Sequence, residues 1–287
     1  MTMKIKFVTD SVADIPPHLV EKWDITVIPC FVNYGGNSYA DDGVELIREE
    51  YYQILGTLED VPTTSAMSPD FAREFIDRAY QDADHLVMIT TPAHLSGIHN
   101  AFRLGSAHLP QDHVTLIDSG QLSIGIGWQV LAGAEVAAET GDLQKTLAAI
   151  EYIQRTQQVY AGINDLAYLR RSGRVGWAAA SIGTLLNIKP VVHVERGNVE
   201  SIARVRSFKR ALDKLAELAQ ENAPYDKMAI LHINNEDGLA ALKERLADIL
   251  PDETIVGLIG PALGTHIGPG SVGFAGITKG WKDAIST

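Results

Sequence analysis

The chain is poor in the residues that staple, clamp or anchor a protein. It has a single cysteine, Cys30, which excludes an internal disulfide framework and a cysteine-rich metal site. The apolar flanks of that residue, VIPCFVN, mark a buried inert thiol rather than a nucleophile. Positive charge is short, with 24 Lys and Arg against 36 Asp and Glu and a net charge of −12. Such a balance disfavours nucleic acid and anionic membrane surfaces, both of which attract basic patches. No apolar run is long enough to span a bilayer, and the opening MTMKIKFVTD lacks the apolar core of a signal peptide. There is no HExxH, no metal-ligand spacing among the nine histidines, no GxSxG elbow and no P-loop lysine. A cytoplasmic, acidic protein is expected, with no stable membrane anchor, no metal, no cofactor and no nucleic-acid partner.

What is present is apolar material and strand–helix alternation. Hydrophobic residues make up 46% of the 287 positions, enough for a substantial core in about two domains or one large one. Apolar strand candidates at 4–9, 25–32, 85–90 and 114–118 alternate with helical periodicity at 45–55, 69–80 and 99–109, then after Ser119-Gly120 to residue 139 and, past the Gly141-Asp142 break, at 143–156. Pro69 after Ser68 is a good helix start. This alternation predicts an α/β fold, with a doubly wound, mostly parallel sheet domain over residues 1–157. Residues 158–287 read instead as an α+β domain. A hairpin at 188–194 and 199–204 turns around Arg196-Gly197-Asn198. Helices at 207–221 and 239–250 and strands at 228–233, 255–259 and 274–277 follow.

Polar chemistry gathers after the strands. Thr9-Asp10-Ser11, Thr90-Thr91 and Asp118-Ser119 all sit at strand ends. Ligands in open α/β sheets bind beyond the carboxyl ends of strands, but the same residue types also cap helices. Ser96, at the start of a helix, is better placed for an anion, because free N–H groups and the helix dipole attract negative charge there. A second hydroxyl-rich loop, Thr63-Thr64-Ser65-Ala66-Met67-Ser68, also precedes a helix. The segment 168–174 (YLRRSGR) is a concentrated basic turn in an acidic chain, either a solvated loop or a docking surface for an anion or partner.

The stretch from Ile259 to Gly276, IGPALGTHIGPGSVGFAG, carries seven glycines counting Gly257 just before it, two prolines, and His266 as its one charge-capable side chain. So much Gly and Pro predicts a shaped loop rather than a helix, either aiming the imidazole or merely turning between strands. Gly268, Gly270 and Gly273 fit GxGxxG, but no long helix follows and too little chain remains for a ribose-binding acid, so a dinucleotide site is rejected. A transferase or hydrolase acting on a small acidic or phosphorylated metabolite at this rim is the competing class, with no base partner or metal motif to support it. A metabolite-binding regulator is a third.

Taken together, these motifs resemble the DegV family of bacterial fatty-acid-binding proteins, and the likeness runs the whole length in order. Thr9-Asp10-Ser11 with Asp14-Ile15 resembles the opening TDS and D-I. The loop from Thr64 to Pro69 resembles TSQPSP, with Ala66-Met67 in place of Gln-Pro. Leu95-Ser96-Gly97 follows Pro92-Ala93-His94, where small residues are commoner. Leu116 to Ser119 resembles V-I-D-S, and Leu169 to Gly176 resembles L-x-x-G-G-R-I-G with Ser172 for Gly. Ile188-Lys189-Pro190 and the signature from Ile259 to Gly270 complete the set. The resemblance implies a non-catalytic lipid-binding subunit of a fatty acid kinase system, holding a long-chain fatty acid between its domains. It implies that Thr64, Ser96 and His266 bind the carboxylate, and that Arg174 and Arg206 serve a kinase subunit that supplies ATP and metal. The departures bear on chain-length preference more than on the anion site.

Overall fold

The computed structural model describes residues 2–179 and 188–285. In the first half, strands run β1 (Ile5–Asp10), β2 (Thr26–Ile28), β3 (Phe31–Tyr34), β4 (Asn37–Ala40), β5 (Thr63–Ser65), β6 (His85–Thr90) and β7 (Val114–Asp118). In the second half they run β8 (Gln158–Gly162), β9 (Lys189–Glu195), β10 (Asn198–Val205), β11 (Tyr225–His232), β12 (Ile255–Leu258) and β13 (Val272–Thr278).

Strands β2-β1-β6-β7 form a four-stranded, wholly parallel sheet. Its strands are largely apolar, as strands covered on both faces are, and β6 is buried at every residue. Strands β10-β9-β8-β13-β11-β12 form a six-stranded mixed sheet, with β11–β12 as its parallel pair. The expected pairing of a parallel α/β half with an α+β half is therefore observed. Helix Ile124–Thr140 touches both β1 and β13, so it lies between the sheets, with helix Leu143–Thr156 packed on it. Helices Pro69–Tyr80 and Ile98–Gly105 contact the parallel sheet, and Phe208–Asn222 and Glu236–Arg245 the mixed one. Successive residues of β11 feed different cores: Met228 and Ile230 pack toward the latter helices, Ala229 and Leu231 toward the interior shared by both sheets.

Three sequence expectations change. The strand expected over 25–32 is two strands in two sheets, because Pro29 supplies no N–H to continue the ladder. Downstream of Pro29, β3 turns through Gly35-Gly36, both at positive φ, into β4, and β5 joins to make a small antiparallel sheet. The basic turn at 168–174 is mostly helix, Leu166–Ser172, closed by Gly173 in the left-handed region at φ 68°. The Gly-rich stretch is not all loop, since Pro261–Ile267 is helical with Pro261 in the first turn and Gly268 just past its end.

Candidate ligand-binding site

In the parallel sheet the chain leaves β1 toward β2 on one side and returns as β6 on the other, which opens a crevice beyond the carboxyl ends of β1 and β6. The strand-end residues there brace loops. Asp10 accepts hydrogen bonds from Val12 N (3.1 Å), Thr91 N (2.8 Å) and Thr91 Oγ1 (2.9 Å). Burial raises its carboxyl to about 6 against those bonds. Asp118 likewise accepts from Ala93 N at 2.9 Å and Gly120 N at 3.0 Å.

Above this crevice lies a cavity of about 650 Å³, walled mainly by carbon. Its sides include Leu122 and Ile124 at the start of the central helix, Val159, Leu231 and Ala275 of the mixed sheet, and Leu263 of the Pro261–Ile267 helix. Val192, Val194 and Val199 of the β9–β10 hairpin form another wall. The hairpin tip is clasped to the first half: Gly197 N donates to Gly120 O at 2.6 Å, and His94 Nε2 lies 2.8 Å from Gly197 O. A side chain at Gly197 would collide with the His94 ring, and φ there is +81°, so both space and backbone demand glycine.

Several polar groups also line this cavity. Thr64 sits in β5, fixed opposite Val32 of β3. His266 sits in the last turn of the Pro261–Ile267 helix. The two meet with Thr64 Oγ1 and His266 Nε2 2.7 Å apart. Ser96 lines the same cavity, its Oγ 3.4 Å from Ile98 N, and Gly97, Ile98, His99 and Asn100 at the start of helix Ile98–Gly105 line it too. The first N–H groups of a helix have no intrahelical acceptor, so this end presents donors and a positive dipole. Arg174 also lines the cavity, with Nη1 donating to Ser172 O at 2.6 Å. Burial, and then the charge of Arg174, lower His266 to about 4, so its imidazole is neutral at pH 7. Thr64, Ser96, His266 and Arg174 thus share one cavity. Arg206 does not line it and lies exposed just after β10.

A layer missed in the sequence holds the His266 helix in place. Gly260 at its start has no side chain to cap it, so two buried carboxylates from the first half do so. Asp14 Oδ1 accepts from Gly260 N at 2.7 Å and Asp41 Oδ2 from Ala262 N at 3.0 Å. Arg48 Nη1 lies 3.2 Å from Asp14 Oδ1 and donates to Leu258 O at 2.7 Å. Tyr52 OH donates to Ile259 O at 2.7 Å, and Tyr51 OH pairs with Thr265 Oγ1 at 2.7 Å. Desolvation raises both carboxyls, Asp41 to about 6, while Arg48 opposes the rise. Asp14 was visible as part of a motif, but Asp41 and Arg48 carried no local signal. The Glu49 and Glu50 beside Arg48 make it look like an ordinary surface charge.

No cluster of His, Cys, Asp and Glu among the described residues could hold a metal ion, and no described helix is long and apolar enough to cross a membrane.

The DegV family profile matches residues 4–279. A DegV domain-containing protein of Streptomyces coelicolor is 33% identical over 279 residues, 95% of this chain and 98% of that one. One of Deinococcus radiodurans is 31% identical over 278 residues, again 95% and 98%. Among solved structures, a DegV family protein of Thermus thermophilus described for its fatty acid binding has a TM-score of 0.88 at 31% identity, covering 96% of this chain and 99% of that one. DegV of Bacillus subtilis, described as a fatty acid binding protein, has a TM-score of 0.85 at 26% identity, covering 96% and 99%. Both sheets, the cavity between them and the Gly-rich signature fall within the matched residues, and the chain belongs to the DegV family.

Proposed function

We propose that this protein is a non-catalytic cytoplasmic carrier that holds a long-chain fatty acid in the cavity, with the carboxylate at Thr64, Ser96 and His266. One observation carries the reading: a large, mainly apolar cavity has Thr64 and His266 hydrogen-bonded to each other on its wall, with Ser96 on the same wall, the pattern of an amphiphile site. Burying an acyl chain contributes about 0.8 kcal/mol per CH₂, so roughly 14 methylenes give about 11 kcal/mol gross before association costs. A carboxylate leaving water needs several donors. With His266 neutral, its Nε2–H can donate to Thr64 Oγ1, which frees the Thr64 hydroxyl proton for the carboxylate. Ser96 and the helix start behind it add donors and dipole.

The carboxylate is then presented to a separate kinase subunit for acyl-phosphate formation, with ATP and metal supplied by that partner. Exposed Arg174 beside the head group suits charge neutralisation during phosphoryl transfer, and Arg206 an outer contact with the partner. The test is organic extraction of the purified protein with mass spectrometry of the extract, followed by titration with added fatty acids. An acyl ligand in the extract, or saturable uptake, is expected; neither appearing would reject the reading, and turnover of a small metabolite by the isolated chain would replace it with an enzyme.

A further inference from the structure

The helix that carries His266 belongs to the second half by sequence but is fastened to the first. It has seven residues, too few to hold its own shape or direction in water. Its orientation therefore comes from what grips it: helix Leu166–Ser172 of the second half packs on it, while the hydrogen bonds described above all come from the first half. Asp14 and Asp41 take its first N–H groups, Arg48 and Tyr52 take the carbonyls of Leu258 and Ile259 leading into it, and Tyr51 takes Thr265, the residue before His266. All five lie between β1 and β5, in the segment that also delivers Thr64.

The contacts are of the strong kind. Asp14 has no exposed side-chain surface and Asp41 is 2% exposed, so their bonds to backbone N–H are charge-assisted and poorly screened. The guanidinium of Arg48 lies 3.2 Å from the buried Asp14 carboxylate and donates to Leu258 O at 2.7 Å, tying Asp14 to the end of β12. The Gly264 position leaves no room between this helix and the Tyr52 ring, so the helix cannot roll without a clash.

We infer that Asp14, Asp41 and Arg48 are positioning residues that hold His266 in register with Thr64, and so set the preference of the site for an ionised head group over a neutral one. This rests on the fatty-acid reading above for its ligand, but the register itself is a property of the ligand-free protein. A small displacement of a hydrogen-bonding group costs much of its interaction while leaving the walls of an apolar cavity intact. Loss of the latch thus weakens recognition of the carboxylate and spares the acyl chain.

The experiment compares a fatty acid with the fatty alcohol of the same chain length by calorimetry, in wild type and in Asp41→Ala, Asp41→Asn, Arg48→Met and Tyr51→Phe. Asn keeps an oxygen that can accept from Ala262 N, so it serves as the rescue of Ala; Tyr51→Phe removes one hydroxyl at constant shape if the Ala variant does not fold. The acid-over-alcohol preference is expected to fall by about tenfold in Asp41→Ala and Arg48→Met, the scale of one weakened charged hydrogen bond, and to return in Asp41→Asn. Parallel loss for acid and alcohol would reduce these residues to a purely structural role and overturn the inference. Nitrogen-15 spectra of the His266 imidazole in the ligand-free variants give the second readout, and a ring signal unchanged from wild type in Asp41→Ala and Tyr51→Phe overturns the positioning as well. Failure of wild type to bind either ligand, with a latch-sensitive imidazole, would instead reject the fatty-acid reading alone.

Discussion

Thr64 Oγ1 and His266 Nε2 lie 2.7 Å apart across 202 residues of sequence, and their meeting point is on the wall of a mainly apolar cavity of about 650 Å³. Each half of the chain supplies one partner of that bond. Thr64→Val keeps the side chain's shape and removes its hydroxyl. Fatty-acid affinity is expected to fall by roughly 1.5–3 kcal/mol, the cost of a hydrogen bond to a charged group. Calorimetry on Thr64→Val, Ser96→Ala and His266→Ala checks this, and unchanged affinity in all of them would place the head group elsewhere.

Arg174 faces the cavity and electrostatically depresses His266, second to burial. Arg174→Ala is expected to leave acyl binding largely intact and to slow kinase-dependent acyl-phosphate formation. The same change is expected to raise the His266 pKa above its present value of about 4, though burial keeps it below the ordinary range. Proton NMR titration of the imidazole measures the shift; equal loss of binding and turnover would mark Arg174 as a folding residue instead.

The depressed His266 also gives a pH signature. In the unfolded chain a histidine titrates near 6.5, whereas here it titrates at about 4, so the unfolded state binds more protons between those values. The stability that His266 contributes is therefore complete above about 6.5 and is lost as pH falls toward 4. His266→Gln lacks this dependence. Its melting temperature relative to wild type is expected to rise as pH is lowered through that window, and a constant difference from pH 7 to pH 4 would contradict the assigned burial.

Gly264 lies against Tyr52 with no space for a methyl group. Gly264→Ala is expected to destabilise the protein by about 1–3 kcal/mol, as overpacking does elsewhere, despite the better helix propensity of alanine. Urea denaturation reads the change directly, and a neutral or stabilising result would show that the helix can shift away from Tyr52.

Much of the frame was legible from pattern alone. Pro69–Tyr80, His85–Thr90, Val114–Asp118 and Leu143–Thr156 have the limits their periodicity and caps suggest, because strong local signals and tertiary burial agree there. The errors fall where one residue changes the outcome. Pro29 splits an apolar run between two sheets, and Pro261 starts a helix inside a glycine-rich stretch whose stability comes from distant carboxylates. Ser96 stands out from its helix start and His266 from its glycine-rich stretch, while the carboxylate role of Thr64, Ser96 and His266 comes from the motif resemblance. That they border a common space is a fact of topology, because it depends on how β5, the start of helix Ile98–Gly105 and the end of helix Pro261–Ile267 are brought together. Asp41 and Arg48 were invisible because an acid and a base amid charged neighbours look solvated until their burial is known.

Strand β11 acts as a partition wall, with Leu231 bordering the cavity and Ile230 sealed in the dry layer behind it. A guest in the cavity adds contacts on one side of a strand whose other side is already full. Damping the strand's motion damps what leans on it, so helix Glu236–Arg245, which packs on β11 and does not border the cavity, is expected to exchange its amide hydrogens more slowly when the room next door is occupied.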